Sequence, residues 1–452
     1  MKNEERLMIK KSKEHRTNFS LFTFLFSLVF LFSCSVQHKL NKAAIENILS
    51  KPAEQAAHIG IAVYDADAKK YLYRYNSKKY FIPASNVKLF TCYAAMQYLG
   101  DSLPGLKVTE DNSNIYLFPT GDPSLLMEDF AVHPVAEWLR KTSRPLYVVD
   151  TCWKENALGF GWSWDDYEAD YMAERSALPL HGNLASFSGN PGKYDISPFL
   201  TEQHFKAGPG NGYISEVNRS RDCNYFTLSF GGKKNDTIRV PFVTEDGSAN
   251  LRFLSAALDK KINRVDSSML LHLPLGKPSV IYSQPLDSLL RIMMHRSDNF
   301  FAEQSLLMVS NQLTGVMNDQ RIIDTLLKTL YKDVPQIPKW VDGSGLSRYN
   351  LFTPEDFVFV LEKMRTTINW KRISTILPTG GAGTISNYYQ QLKGRIFVKT
   401  GTLSNNVALS GYLITRRDKT LLFSILVNNH MASASEIRRD VEAFITELAD
   451  EY

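Results

Sequence analysis

Residues 81–90 read FIPASNVKLF, an apolar stretch in which Ser85 and Lys88 are the only side chains with obvious reactivity. A serine before an apolar helical run is a good helix N-cap, because its hydroxyl satisfies a free backbone N–H. The same spacing also suits a nucleophile and its base, since residues i and i+3 lie on one face of a helix. These ten residues alone leave both interpretations open.

Two short motifs much further along the chain favour the second interpretation. The triplet SDN occupies 297–299 inside a region of helical periodicity, and the triplet KTG occupies 399–401 at the end of a β-like run. In this order, S-x-x-K, S-x-N and K-T-G are the three signature elements of penicillin-recognising serine acyl-transferases. Each triplet alone could be an ordinary turn, but the three in this order indicate one shared active site.

With these motifs the chain resembles the class C low-molecular-weight penicillin-binding proteins, the D-alanyl-D-alanine carboxypeptidase/endopeptidase family. The resemblance spans about residues 59–430 and includes GDPSL (121–125), GWSWDD (161–166), SALPLHGN (176–183), SDNFFAE (297–303), DGSGLSR (342–348), LPTGGAGT (377–384) and KTGTL (399–403). One departure follows Pro378, where TGGAGTISNYYQ lacks the acidic residue before Gly-Thr and the downstream arginine that are usual in the family. This departure bears on fine substrate specificity rather than on the reaction.

The residue chemistry and the resemblance together imply a role for the first two motifs. A serine hydroxyl is a weak nucleophile near neutral pH, so Ser85 needs a base, and Lys88 is the candidate. Burial among apolar residues, with Lys399 nearby, would favour the neutral form of Lys88. The resemblance implies that Ser297 relays a proton to the leaving amine and that Asn299 holds both the substrate backbone and Lys88.

The KTG run is expected to bind the substrate. Lys399 supplies positive charge, Thr400 would donate a hydrogen bond to the free carboxylate of a C-terminal D-alanine, and Gly401 leaves room for close backbone approach. By resemblance, the N–H groups of Ser85 and Thr402 form the oxyanion hole. The substrate peptide would add as an antiparallel strand along this run.

The resemblance therefore implies a carboxypeptidase or endopeptidase that acylates Ser85 with a peptidoglycan stem peptide and then hydrolyses the acyl-enzyme. β-Lactams should acylate the same serine. Two alternatives remain: a serine β-lactamase, which shares the motifs but is usually compact, and a non-catalytic peptidoglycan-binding lipoprotein. No cofactor or metal is expected, because no cysteine–histidine spacing resembles a metal site.

The N-terminus is typical of a secretory signal. Residues 1–18 carry six Lys or Arg against three Glu, and a fourteen-residue apolar run, 19–32, precedes Ser33-Cys34. This run is shorter than the about 20 residues that a membrane-spanning helix needs. LFSC resembles a bacterial lipobox, so Cys34 is expected to be the lipidated first residue of an exported, periplasmic, membrane-anchored protein. The alternative is an ordinary signal peptide with an incidental cysteine.

Five segments follow from these observations. They are the signal peptide (1–33), a tether and first helix (34–58), the first part of a transpeptidase-like domain (59–100), one or two inserted β-rich domains (101–280) and the second part (281–452). Strands at both ends of the chain, with helices between, predict one sheet built from both ends. With the resemblance, the predicted fold is α+β and β-lactamase/transpeptidase-like: a five-stranded antiparallel sheet flanked by helices, with the β-rich insertion between the first and second motifs.

Composition and cysteine content fit this organisation. The chain has 452 residues, of which 44% are hydrophobic and 22% charged, as is typical of a folded globular protein. Without residues 1–33 the formal net charge falls from +5 to +2, so no nucleic-acid partner is expected.

Cys152 and Cys223 are the plausible disulfide pair because both lie in the middle region, and Cys92 is expected to be a buried small hydrophobe.

Overall fold

The computed structural model describes residues 39–51, 53, 55–198, 204–270 and 277–452. The predicted signal peptide and the predicted lipidation site, Cys34, lie outside the described residues. Residues 39–49 are helical and end in a π-helical turn, Ile45–Leu49. Within the described ranges, none of the helices combines the length and the apolar character that crossing a membrane requires.

The strands occur near both ends of the chain and throughout its middle. In chain order they are β1 His58–Asp65, β2 Lys70–Tyr75, β3 Ser102–Glu110, β4 Ile115–Pro119, β5 Leu146–Val148, β6 Leu184–Asn190, β7 Lys193–Ser197, β8 Phe205–Ala207, β9 Tyr213–Arg219, β10 Phe226–Gly232, β11 Ile238–Pro241, β12 Ile262–Arg264, β13 Ser279–Pro285, β14 Ile396–Leu403, β15 Asn406–Ile414 and β16 Thr420–Asn428.

The α-helices lie between β2 and β3, among the middle strands, between β13 and β14, and after β16. They are α1 Lys88–Tyr98, α2 Pro134–Lys141, α3 Ser248–Leu258, α4 Ser267–Leu270, α5 Leu286–Arg296, α6 Asn299–Thr314, α7 Asp319–Lys328, α8 Pro354–Thr367, α9 Trp370–Ile376 and α10 Ala434–Glu451. Short 3-10 turns lie at Ala84–Val87, Trp164–Asp166, Asp170–Met172, His181–Asn183, Gly383–Ile385 and Gln390–Leu392.

The central sheet joins the two ends of the chain. Its strand order is β14-β15-β16-β1-β2, and every neighbouring pair is antiparallel. The β1–β16 pairing places His58 opposite Asn428 and Asp65 opposite Leu421. The predicted five-stranded antiparallel sheet, built from both ends of the chain, is therefore confirmed.

Both faces of the central sheet are covered, which is why β15 and β16 are buried along almost their whole length. Successive side chains of a strand point to opposite faces. Thus Ile61 and Val63 of β1 join the hydrophobic cluster that contains Phe444 of α10. Ala62, between them, joins the cluster on the other face, which includes Phe301 of α6 and residues of α1 and α8.

The segment between α1 and α5 builds three further sheets. One is a mixed five-stranded sheet in the order β12-β5-β4-β3-β13, and two are three-stranded sheets in the orders β11-β6-β7 and β8-β10-β9. These strands enclose a separate hydrophobic cluster that includes the buried rings of Phe187, Phe226 and Phe242. We call the segment from 102 to 285 the insert, and its position confirms the β-rich insertion predicted between the first two motifs.

The predicted pairing of Cys152 with Cys223 is wrong, because Cys92, Cys152 and Cys223 are all free thiols. Cys152 lies in the turn after β5, where its Sγ is 3.7 Å from the carbonyl oxygen of Pro119. Cys223 is exposed in the turn between β9 and β10. The two cysteines share a sequence region but belong to different sheets of the insert.

An aromatic cluster fixes α1 beneath the turn that carries Ser85. The ring centroid of Phe90 lies 4.9 Å from that of Tyr331 and 5.0 Å from that of Phe352. Trp340 and Phe357 meet the same ring edge-on, at interplanar angles of 63° and 82°. Edge-to-face arrangements of this kind stabilise a core beyond the area they bury.

We expect the substitution Phe90→Ala to lower the free energy of unfolding by about 3–5 kcal/mol, because it leaves a cavity that the surrounding rings cannot fill. Chemical denaturation measures this loss. The control is Phe160→Ala, which removes a ring that is 70% exposed and should change stability little. Equal effects of the two substitutions would contradict the central packing role of Phe90.

Candidate active site

Ser85 lies in the 3-10 turn Ala84–Val87, directly before α1. Its hydroxyl does not cap the helix: Val87 is the N-cap residue of α1, and no side chain caps the helix there. Instead Ser85 Oγ accepts a hydrogen bond from Lys88 Nζ at 2.9 Å. The N-cap interpretation of this serine is therefore wrong, and the S-x-x-K spacing brings the two reactive groups into direct contact.

Lys88 is fully buried and has three hydrogen-bond acceptors. Besides Ser85 Oγ, these are Asn299 Oδ1 at 2.7 Å and the carbonyl oxygen of Ser344 at 2.8 Å. Asn299 Nδ2 donates to the carbonyl oxygen of Tyr171 at 3.1 Å, which fixes the orientation of the amide. Two of the three groups around Lys88 Nζ can therefore only accept a hydrogen bond.

This arrangement directs the lone pair of a neutral Lys88. A neutral amine has two N–H groups, and the oxygens of Asn299 and Ser344 take both of them. The lone pair is then left facing Ser85 Oγ, whose hydroxyl becomes the donor. Burial lowers the pKa of Lys88 to about 8, although the charges of Asp342, Asp298 and Glu303 oppose this shift.

The SDN triplet joins α5 to α6. Ser297 has a positive φ of 62° at the end of α5, and Asp298 caps α6 by accepting from the backbone N–H of Phe301 at 2.8 Å. Ser297 Oγ accepts a hydrogen bond from Lys399 Nζ at 2.8 Å. Burial, and secondarily the charge of Lys88, hold the pKa of Lys399 well below its usual value. Ser297 is thus held by the third motif.

The KTG triplet lies within β14, which continues to Leu403, so the prediction that the triplet ends its strand is wrong. β14 is the edge strand of the central sheet. A Cβ atom on Gly401 would lie 2.8 Å from the carbonyl oxygen of Pro83 and 3.0 Å from the backbone nitrogen of Ser85. Only glycine allows β14 to approach the Ser85 turn this closely.

The two threonines of this run point away from Lys399, as strand alternation requires. Thr400 Oγ1 lies 2.8 Å from Thr384 Oγ1. Thr402 is exposed, and its Oγ1 accepts a hydrogen bond from Arg438 Nη2 at 2.6 Å. Because β14 is an edge strand, groups from both of its faces can reach a ligand along the edge.

Sequence reasoning missed the turn around Ser344, whose backbone carbonyl accepts a hydrogen bond from Lys88. Ser344 belongs to DGSGLSR, and its N–H donates to Glu303 Oε1 at 2.7 Å. Asp342 organises the same turn by accepting from the N–H groups of Gly345 at 2.8 Å and Ser347 at 2.6 Å. DGSGLSR was part of the family resemblance, but no residue type could show that one of its backbone carbonyls binds Lys88.

The insert reaches this turn through Arg175, a fully buried arginine surrounded by carboxylates. Its guanidinium lies 3.3 Å from Glu303, 3.3 Å from Glu155 and 2.8 Å from Asp319. Trp162 of the insert also donates from Nε1 to Asp342 at 3.0 Å. A continuous chain of contacts therefore runs from the insert to the acceptors of Lys88.

A cavity of about 460 Å³ opens beside Ser297 and Asn299. Its opposite wall is the outer face of the β11-β6-β7 sheet, which presents Ser186, Ser188 and Arg239. The cavity is continuous with the SDN side of the site rather than with the KTG side. It provides space next to the group predicted to protonate the leaving amine.

A serine paired with a buried lysine, a supporting S-x-N loop and a K-T-G edge strand define an active-site serine peptidase of the penicillin-binding type. Residues 41–451 match the D-Ala-D-Ala carboxypeptidase 3 (S13) family, and the chain belongs to this family. The resemblance noted from the sequence is therefore confirmed.

Two relatives and one solved structure are similar to this protein over most of the chain. The chain is 28% identical to a D-alanyl-D-alanine carboxypeptidase of Actinomadura sp. (strain R39), covering 86% of this chain and 81% of the relative. It is 23% identical to the D-alanyl-D-alanine carboxypeptidase DacB of Haemophilus influenzae, covering 88% and 91%. The fold is similar to the crystal structure of penicillin binding protein 4 (dacB) from H. influenzae, with a TM-score of 0.68 at 19% identity over 91% of this chain and 99% of that chain.

The position of Lys88 predicts how activity depends on pH. Only its neutral form can take the Ser85 proton, so kcat/KM for release of D-alanine from a D-Ala-D-Ala peptide should rise with pH through about 8. The substitution Glu303→Gln removes a negative charge that raises the pKa of Lys88, so this rise should move to lower pH.

Glu155→Gln is the matched control, because Glu155 also contacts Arg175 but does not touch the Ser344 turn. It should leave the midpoint of the rise in place. If Glu303→Gln lowered the rate equally at every pH without moving the midpoint, electrostatic control of Lys88 by Glu303 would be ruled out.

Proposed function

We propose that this protein is a D-alanyl-D-alanine carboxypeptidase that also cleaves peptidoglycan cross-links, acting on stem peptides through an acyl-enzyme on Ser85. The observation that carries the proposal is the environment of Lys88 Nζ. It lies 2.9 Å from Ser85 Oγ, while its other two contacts are oxygens that can only accept. This geometry suits a general base for a serine nucleophile.

The reaction begins when Lys88 takes the hydroxyl proton and Ser85 Oγ attacks the carbonyl carbon between the two D-alanines. The backbone N–H groups of Ser85 and Thr402 would stabilise the resulting oxyanion, as two preorganised donors do in such sites. The close approach of Gly401 to Ser85 supports this pairing. The C–N bond then breaks, and the proton reaches the leaving amine with the Ser297 hydroxyl as relay. Water hydrolyses the acyl-enzyme and regenerates Ser85.

The free edge of β14 is the proposed substrate platform. A peptide that adds antiparallel to this edge would form main-chain hydrogen bonds, and its side chains would alternate between the two faces. Its terminal carboxylate would then lie beside Thr400, which is partly exposed on this edge strand. Lys399 would hold Ser297 in place through the hydrogen bond between its Nζ and Ser297 Oγ.

Cleavage of cross-links is supported by the cavity beside Ser297. A carboxypeptidase releases one D-alanine, whereas an endopeptidase must accommodate a second stem peptide on the leaving-group side. The cavity of about 460 Å³ opens next to the proposed proton relay, where that second peptide would depart. It is larger than a single amino acid requires.

The two alternatives fit these observations less well. A β-lactamase would not need a large insert that contacts the surroundings of its catalytic base. The family match also favours a peptidase. Slow release of a bound penicillin would support a peptidase, while rapid turnover would support a β-lactamase. A non-catalytic binding protein would have no need for the contact between Lys88 and Ser85, which is intact here.

The experiment that tests the proposal uses purified muropeptides, both monomeric pentapeptides and cross-linked dimers, with products identified by mass. We expect the protein to release D-alanine from the monomer and to split the dimer. Ser85→Ala should abolish both reactions and the labelling by a fluorescent penicillin while the protein stays folded. The control Ser374→Ala changes a serine on α9 and should leave all three intact; activity that persists in Ser85→Ala would refute the proposed nucleophile.

We further propose that the protein is exported and anchored to a membrane through a lipid on Cys34. The support is the lipobox-like LFSC sequence after a basic and then apolar N-terminus. We expect Cys34→Ser to move the protein from the membrane fraction to the soluble periplasmic fraction. Cys223→Ser, which changes an exposed cysteine of the insert, should stay with the membrane; the same fractionation for both variants would contradict the anchor.

A further inference from the structure

Arg438 on α10 carries a charge that no carboxylate neutralises within the described part of the chain. Its guanidinium forms no ion pair there, and the hydrogen bond that the structure shows for it goes from Nη2 to Thr402 Oγ1 at 2.6 Å. The side chain is half-buried. A partly buried guanidinium whose bonding partner is one hydroxyl retains N–H donors for an anion.

The neighbouring Arg439 shows how an ordinary arginine on this helix is satisfied. Its Nη1 bonds to Glu442 Oε2 at 2.6 Å, and its guanidinium lies 4.3 Å from the ring centroid of Tyr388. The other oxygen of Glu442 accepts from the backbone N–H of Tyr389. Glu442, one helical turn from Arg438, therefore has both of its oxygens occupied by other groups.

Arg438 is placed beside the strand proposed to bind substrate. Thr400, Thr384 and Arg438 line one small cavity, and Thr402, which Arg438 contacts, is two residues after Thr400 on the same face of β14. Gly401, between the two threonines, lies against the Ser85 turn. The guanidinium and the two threonine hydroxyls thus lie on one face of this end of β14, and Gly401 brings the same end of the strand against the turn that carries Ser85.

We propose that Arg438 recognises the free carboxylate adjacent to the leaving amine of the substrate, together with the hydroxyls of Thr400 and Thr402. The inference rests on the proposed function and concerns which leaving groups the active site accepts. A C-terminal D-alanine carries such a carboxylate, and so does a cross-linking amino acid whose own α-carboxylate is free. Arg438 therefore selects leaving groups that carry an unmodified carboxylate next to the amine, in both carboxypeptidase and endopeptidase reactions.

The charge of the carboxylate is the reason that this contact distinguishes a free acid from an amidated substrate. A guanidinium–carboxylate hydrogen bond is shorter and about twice as strong as a neutral one. A substrate whose carboxylate is amidated offers the guanidinium only a neutral carbonyl acceptor and places an N–H₂ donor next to a cation.

The test compares two peptides that differ at one group: diacetyl-Lys-D-Ala-D-Ala with a free carboxylate and the same peptide with a C-terminal amide. We expect Arg438→Met to lower kcat/KM for the free acid by about 10- to 100-fold, as the loss of a charged hydrogen bond implies, and to leave cleavage of the amide unchanged. Arg438→Lys should restore part of the preference. Arg439→Met, the matched control, should keep the ratio of the two rates at its original value.

Each outcome decides between distinct conclusions. If Arg438→Met slowed both peptides equally or neither, carboxylate recognition by Arg438 would be refuted while the proposed function stood. If the unmodified protein cleaved neither peptide, the proposed function would fail, and this inference would fail with it. A loss confined to the free acid in Arg438→Met, with the ratio retained in Arg439→Met, establishes the specificity role.

Discussion

The buried position of Lys88 is the constraint on which the rest of the site depends. A lysine without access to water pays a large desolvation penalty in its charged form, so the surroundings must either supply counter-charges or favour the neutral amine. This protein does both in part. Three nearby carboxylates raise the pKa of Lys88, but burial lowers it by more, and the resulting pKa of about 8 allows the same group to accept a proton and to return it.

Support for this lysine comes from parts of the chain that are far apart. The carbonyl of Tyr171 orients the amide of Asn299, and Arg175 and Trp162 hold the carboxylates that shape the Ser344 turn. All three of these residues belong to the insert. The insert is therefore part of the environment that sets the chemistry of Lys88, in addition to forming one wall of the cavity beside Ser297.

The strand runs at both ends of the chain were enough to predict the central sheet, and the family resemblance carried by the three motifs predicted that Asn299 would meet Lys88. The sequence could not reveal contacts made by backbone carbonyls, such as that of Ser344, since any residue supplies the same group. Arg438 lies outside every motif and becomes notable only because it has no carboxylate partner among the residues that the structure describes. The predicted pairing of Cys152 with Cys223 was wrong because two residues of the same sequence region can lie in different sheets.

The pairing of β1 with β16 has a consequence for how the protein folds. His58 lies opposite Asn428, so the central sheet cannot close until almost the whole chain is available. Contacts of such high sequence separation form slowly because a long loop must be ordered first. The insert has its own hydrophobic cluster and can become compact earlier, which shortens that loop. Assembly of the nucleophile and its base is thus a late event, and an incompletely synthesised chain has no active site.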